Sequence, residues 1–275
     1  IPMGVSIGAT KTLAKLGQYA TKKVPQLSGV CLLESEHQVS WLAKRTPVDE
    51  VWGVGRRLAQ QLKDNGTDTA DRLRRLPIGL ARKIGHKPLE RTVRELNGEP
   101  CIPFEDVAPS KQSIVCSRSF GTKLSAKADI EQALAEFTAR AAEKLRLQNS
   151  LCQAMTVFLM TSRYGDVCYA NKRSIRMLHG TSDSCLLIKQ AKELLNQIYL
   201  TGLSYSKAGV ELAAIRTAGV GQQDFWGCDP TRSTALMSAI DAINGKYGKG
   251  SIQIASQGVA RKHTMRQAKL SPRYL

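Results

Sequence analysis

The chain has 275 residues, 42% hydrophobic and 23% charged, enough for two or three small domains with proper cores. Forty Lys and Arg against 23 Asp and Glu give a net charge of +17, which points to a polyanionic partner, nucleic acid before a membrane surface, because no basic helix also carries a wide aromatic face. No apolar run approaches the roughly 18 residues of a membrane span, no leader-like N-terminus is present, and seven scattered cysteines without a CxxC read as reduced core residues of a cytoplasmic protein, not a zinc site or disulfide frame.

Residues 4–8 alternate as a short strand carrying Val5 and Ile7. Thr10 is placed to cap a helix bearing Leu13, Leu16 and Ala20, with Lys11, Lys15, Lys22 and Lys23 along it; Pro25 stops it and residues 29–33 form a second strand. This β-α-β unit cannot bury its own apolar faces and needs more sheet than the chain shows. The chain also opens on Ile1 straight into apolar alternation, which reads as a piece of something longer.

A short helix at 39–44 leads to Val51-Trp52-Gly53-Val54-Gly55-Arg56-Arg57-Leu58. Asp49, Glu50 and Val51 make a possible first helix after Pro47, and Gly53 and Gly55 permit a tight turn. Beyond Arg56, Leu58 and Leu62 share one helical face while Arg57, Gln60, Gln61 and Lys63 can face water. Helix, hairpin, helix is a layout whose N–H groups can grip a DNA phosphate. On these residues alone, a turn that uses its glycines only for packing stands level with it. Short basic helices follow at 69–73 and 79–85, then one at 89–96 ended by Gly98 and Pro100. From Gly53 to Gly98 there are eleven basic and five acidic side chains, a small helical domain with a positive face.

Residues 101–111 hold prolines and no periodicity, and read as a linker. Strand 112–120, helix 130–147, strands 151–161 and 168–178, helix 183–200 and strand 206–216 then give β-α-β-β-α-β, a two-layer domain with both helices on one sheet face. A Gly- and Pro-containing stretch, 218–232, carries Phe225 and Trp226; a helix at 235–243, a strand at 251–255 and a basic end complete the chain, with seven basic and no acidic residues from Gly245 to Leu275. The fold class is therefore α+β.

Several motifs fail. Gly53-Val54-Gly55 is no dinucleotide fingerprint, since Leu58 stands at the third glycine position, and Gly248-Lys249-Gly250-Ser251 lacks P-loop spacing. His37, His86, His179 and His263 are isolated, as surface or core histidines are. By its own chemistry the chain reads as a polyanion binder without a catalytic centre.

The stretches 4–15, 48–57, 89–101, 111–121 and 270–274 together resemble Y-family translesion DNA polymerases, in the UmuC-like form of bacterial DNA polymerase V and its plasmid-borne relatives. The resemblance implies the end of the palm in residues 1–46, a helix-hairpin-helix thumb in 47–100, a linker in 101–111, a DNA-binding little finger in 112–217, a second linker in 218–232 and a basic C-terminal domain in 233–275. It makes Lys11 a triphosphate contact, and it makes Gly53, Gly55, Arg56 and Arg57 of the thumb and Arg118, Lys123, Lys172 and Arg173 of the little finger candidate DNA contacts. Gln222, Asp224, Phe225 and Trp226 are similar to a sliding-clamp motif, although Gln223 stands where leucine is commoner. The partners implied are primer-template DNA and a sliding clamp, with a UmuD′-like subunit and RecA as further candidates, in SOS-type damage tolerance. The full-length family enzyme is expected to use Mg2+ held by palm carboxylates. Those carboxylates lie before this chain's start, so the chain alone is expected to be inactive and to bind no metal. The alternative is a non-catalytic adaptor for DNA and clamp.

Overall fold

A computed structural model of the chain describes residues 3–104, 109–165, 167–218, 231–259, 262–264, 270 and 272. It divides into two compact units, Ile1–Ala108 and Pro109–Leu275, both α+β.

In the first unit β1 (Val5–Gly8) and β2 (Val30–Leu33) run parallel, joined by α1 (Lys11–Lys23), the crossover a parallel pair requires. The Thr10 hydroxyl caps α1, accepting from Leu13 N at 3.2 Å. Leu13, Leu16 and Ala20 cover one face of the strand pair, while Val5, Ile7, Val30 and Leu32 on the other are exposed. Ser35 and Gln38 form a capping box, so α2 (Glu36–Arg45) starts before its apolar periodicity does. The expected first helix around residue 50 is only a 3-10 turn, Val48–Glu50. Then come α3 (Arg56–Asp64), α4 (Ala70–Arg74), capped by Thr69, and α5 (Ile78–Leu96). Gly85 (φ −127°) and His86 (φ 56°) break α5 and Pro88 restarts it, so it comprises the two helices expected at 79–85 and 89–96.

The second unit follows the expected order closely: β3 (Ile114–Leu124), α6 (Lys127–Leu147), β4 (Ser150–Thr161), β5 (Ala170–Thr181), α7 (Ser184–Ile198) and β6 (Tyr205–Thr217). The sheet order is β3-β6-β4-β5, with every neighbour antiparallel. Alternate residues such as Met155, Val157, Leu159, Val210 and Leu212 pack with Phe137, Leu145, Leu187 and Leu195 of α6 and α7. One sheet face is thus spent on the core and the other is open.

The expected strand at 251–255 does not form. Asn244 of α8 (Thr231–Tyr247) donates its amide to Ile252 O at 2.9 Å and accepts from Ile252 N at 3.0 Å, so a side chain satisfies the groups a neighbouring strand would have taken. A 3-10 turn, Ala255–Gln257, follows. This segment lies on the helical layer. The Arg146 guanidinium donates to both Asp241 oxygens at 2.6 and 2.8 Å and to Ser182 O at 2.7 Å, and His263, almost fully buried, meets Glu136 at 2.8 Å.

Candidate nucleic-acid interface

The hairpin of the first unit is fixed by the two valines that frame Gly53. Val51 and Val54 are buried in the core, and Val54 N donates to Val51 O at 3.0 Å. The chain turns between them because Gly53 adopts φ +93°, open to glycine and strained for other residues. Gly55 does not share that role: at φ −82° it is extended, and it serves as the N-cap of α3 without a side-chain acceptor. The first N–H groups of α3 are therefore left for another acceptor, such as an anion.

Charge pairing then decides which cations of this unit are available. Lys63 is held by Asp49 at 2.9 Å, Arg72 by Asp68 at 3.3 Å, Arg74 by Glu36 at 2.6 Å and Arg75 by Asp71 at 3.1 Å. Arg82 and Arg94 converge on Glu90 at 2.7 and 3.2 Å, and Arg94 also meets Glu99. The bond from Lys63 lowers the Asp49 pKa below the usual carboxylate range, and the Arg82 hydrogen bond does the same for Glu90. Arg56 and Arg57 are exposed and carry no ion pair among the described residues. Two free guanidinium groups thus stand beside uncapped backbone donors.

Lys11, the first residue of α1, donates from Nζ to Pro103 O at 2.6 Å and lies 5.0 Å from the centre of the Phe104 ring. What organises this corner is a residue that sequence reasoning missed. Glu95, fully buried in the last turns of α5, accepts from Thr12 N and Thr12 Oγ1, each at 3.0 Å. Its other oxygen accepts from Cys101 N at 2.9 Å and Ile102 N at 3.0 Å. Burial pushes its pKa up, but these bonds outweigh that and leave it lowered. The first turn of α1 holds no acidic residue of its own, so Glu95 supplies the anion that its N-terminus favours. Nothing local distinguishes it from the other acids of a basic helix; only the tertiary fold does.

In the second unit register separates the four predicted cations. Lys172 lies opposite Phe158 on the open face, whereas its neighbour Arg173 lies opposite the core residue Val157, on the helical side, and donates to Gln197 of α7 at 2.9 Å. Strand alternation thus puts these two candidate contacts on opposite faces of the sheet. Arg118 pairs with Ala208, a core residue, so it too is on the helical side, exposed only because β3 is an edge strand. Lys123 is exposed next to Leu124, whose side chain enters the core. The open face instead gains Arg176 and Lys207, opposite Ala154 and Met160. The two-residue period of the expected strands would have placed both on one sheet face.

Gln222, Asp224, Phe225 and Trp226 lie outside the described residues. Among the described residues no group of three or more His, Cys, Asp or Glu is placed to hold a metal ion. No helix among them is long and apolar enough to cross a membrane.

Residues 111–225 match the impB/mucB/samB family C-terminal domain, and residues 234–275 match a domain of unknown function (DUF4113). The chain is 40% identical to Protein UmuC of Salmonella typhimurium over 279 residues and 41% identical to Protein ImpB of the same organism over 280, covering 100% of this chain and 66% of each relative. It is 41% identical to Protein MucB of Escherichia coli over 274 residues, covering 98% of this chain and 65% of that protein. The fold is similar to that of a solved Y-family DNA polymerase chimera of Dbh and Dpo4, with a TM-score of 0.52 at 21% identity over 78% of this chain and 58% of that one.

Proposed function

The chain belongs to the UmuC, ImpB, MucB and SamB family of Y-family translesion polymerases, and from that premise we propose that it holds primer-template DNA, by phosphates and without regard to sequence, for an error-prone polymerase that copies past damage. Residues 1–46 serve as the end of the palm, 47–100 as the thumb and 112–217 as the little finger. Lys11 serves the incoming triphosphate. Because the chain spans about two thirds of the length of its relatives, the transfer reaction is a proposal for the whole protein, and no step of it is assigned to the described residues.

The observation that carries this reading is the hairpin, where uncapped N–H groups of α3 stand beside the unpaired Arg56 and Arg57, while Lys63 is held by Asp49 and Arg82 by Glu90. Backbone donors and guanidinium groups together suit a phosphate and read no base. The test is fluorescence anisotropy of labelled primer-template DNA against salt. A protein that neutralises about six phosphates loses roughly a thousandfold in affinity between ~50 and ~200 mM salt. R56A and R57A should each lower the slope of log affinity against log salt by about one, equally for unrelated sequences. Flat affinity across that range would sink the proposal.

A sliding clamp is the second partner, through Phe225 and Trp226 as aromatic anchors. The doubly substituted F225A/W226A chain should lose capture on purified clamp, and unchanged capture would remove the partner. A UmuD′-like subunit and RecA are further partners for which no surface is assigned.

A further inference from the structure

The open sheet face of the second unit has a definite pattern, read across β3, β6, β4 and β5. One row is Val115, Glu211, Thr156 and Ser174; the next is Ser117, Gly209, Phe158 and Lys172; the third is Ser119, Lys207, Met160 and Ala170; and Ala213, Ala154 and Arg176 form a row at the other end. Small and hydroxyl side chains keep the surface low, and its charges are Lys172, Lys207 and Arg176 against Glu211. In the middle stands one large aromatic ring. A Cβ on Gly209 would overlap Phe158 Cζ and Ser117 Cβ, so the ring lies flat across the β6 backbone where glycine leaves room. Phe158 is only partly buried there.

We infer that Phe158 is the floor on which a deoxyribose of the bound DNA packs, with Lys172 and Lys207 taking phosphates of that strand on either side. The inference rests on the proposed DNA-holding role and adds an apolar contact to it. Strand spacing places the Cα atoms of Lys172 and Lys207 about 12 Å apart on opposite sides of the ring, within the combined reach of two long side chains. A flat ring lets the sugar come close to the sheet, which a ring standing upright would prevent. The C–H edges of a deoxyribose are alike at every nucleotide, so the contact is blind to sequence. Glu211, one row away, repels phosphate and keeps the strand on the rows of Lys172 and Lys207.

Salt separates this contact from the charged ones. In anisotropy titrations of the 275-residue chain with primer-template DNA, F158A should weaken binding by roughly five- to tenfold, by the same factor at every salt concentration. K172A and K207A should each lower the salt slope by about one. F158L keeps an apolar cover over Gly209, so it should melt close to the unsubstituted chain yet lose at least about threefold in affinity, because the flat ring is gone. Unsubstituted affinity for F158L, or a change in salt slope with F158A, would overturn the inference. Salt-dependent binding that F158A leaves untouched would remove the sugar contact alone, whereas flat affinity of the unsubstituted chain would remove the phosphate reading and this contact with it.

Discussion

Glu95 joins the first turn of α1, remote in sequence, to the last turns of α5 and to the backbone at residues 101–102 that follows them. Its replacement by Gln keeps the shape but weakens charge-assisted bonds and reverses one end to a donor, so E95Q should cost about 2 kcal/mol and E95A about 3 kcal/mol, read by denaturant unfolding of the first unit. The pH dependence has a defined sign. The folded pKa is lowered, so the stability Glu95 supplies is fully present above the unfolded glutamate value and is lost as pH falls through the folded one. E95Q should flatten that acid limb, visible as a melting temperature that falls less below the ordinary carboxylate range. The hairpin glycines should separate in the same assay. G53A forces a side chain into φ +93° and should cost about 1–2 kcal/mol, whereas G55A only weakens an extended N-cap, by about 0.5 kcal/mol.

Helix α5 shows how much an element can conceal in one residue. His86 occupies φ 56°, ψ −159°, a region that glycine enters far more readily. H86G should therefore raise stability by about 1 kcal/mol despite the entropy of an added glycine, measured as a shift in denaturant midpoint. Pro88 and Gly85 made that break legible in sequence, as apolar alternation made legible every strand and helix of the β-α-β-β-α-β unit. Local patterns failed where a partner from elsewhere decided the outcome. Residues 251–255 have the composition of a strand, but Asn244 takes both backbone groups of Ile252. Lys172 and Arg173 were both candidate contacts; alternation along the strand sets them back to back, and register decides that Arg173 is the one on the core side. The free state of Arg56 and Arg57 was also invisible, because it depends on which acids the fold gives to the other cations.

Across the whole molecule, the described residues between 231 and 264 are bound into the second unit. Arg146, mostly buried, links α6, the Ser182 carbonyl and Asp241 of α8, while Lys262 reaches Asp129 and Ser233 reaches Asp183. Two compact units permit two unfolding transitions. R146A should lower the transition of the second unit by about 1–2 kcal/mol and leave that of the first unmoved, since it strips the partly buried Asp241 of its partner and leaves Ser182 O unsatisfied. Differential scanning calorimetry reads both at once. β4 carries a separate consequence. Met155, Val157 and Leu159 serve the core and Thr156, Phe158 and Met160 the open face, so inserting one residue exchanges the two sets along the rest of the strand. Length changes within it are therefore closed to selection even where each single substitution is tolerated. A deletion and insertion scan should show strand blocks that accept no change of length, separated by permissive connections such as that between β4 and β5.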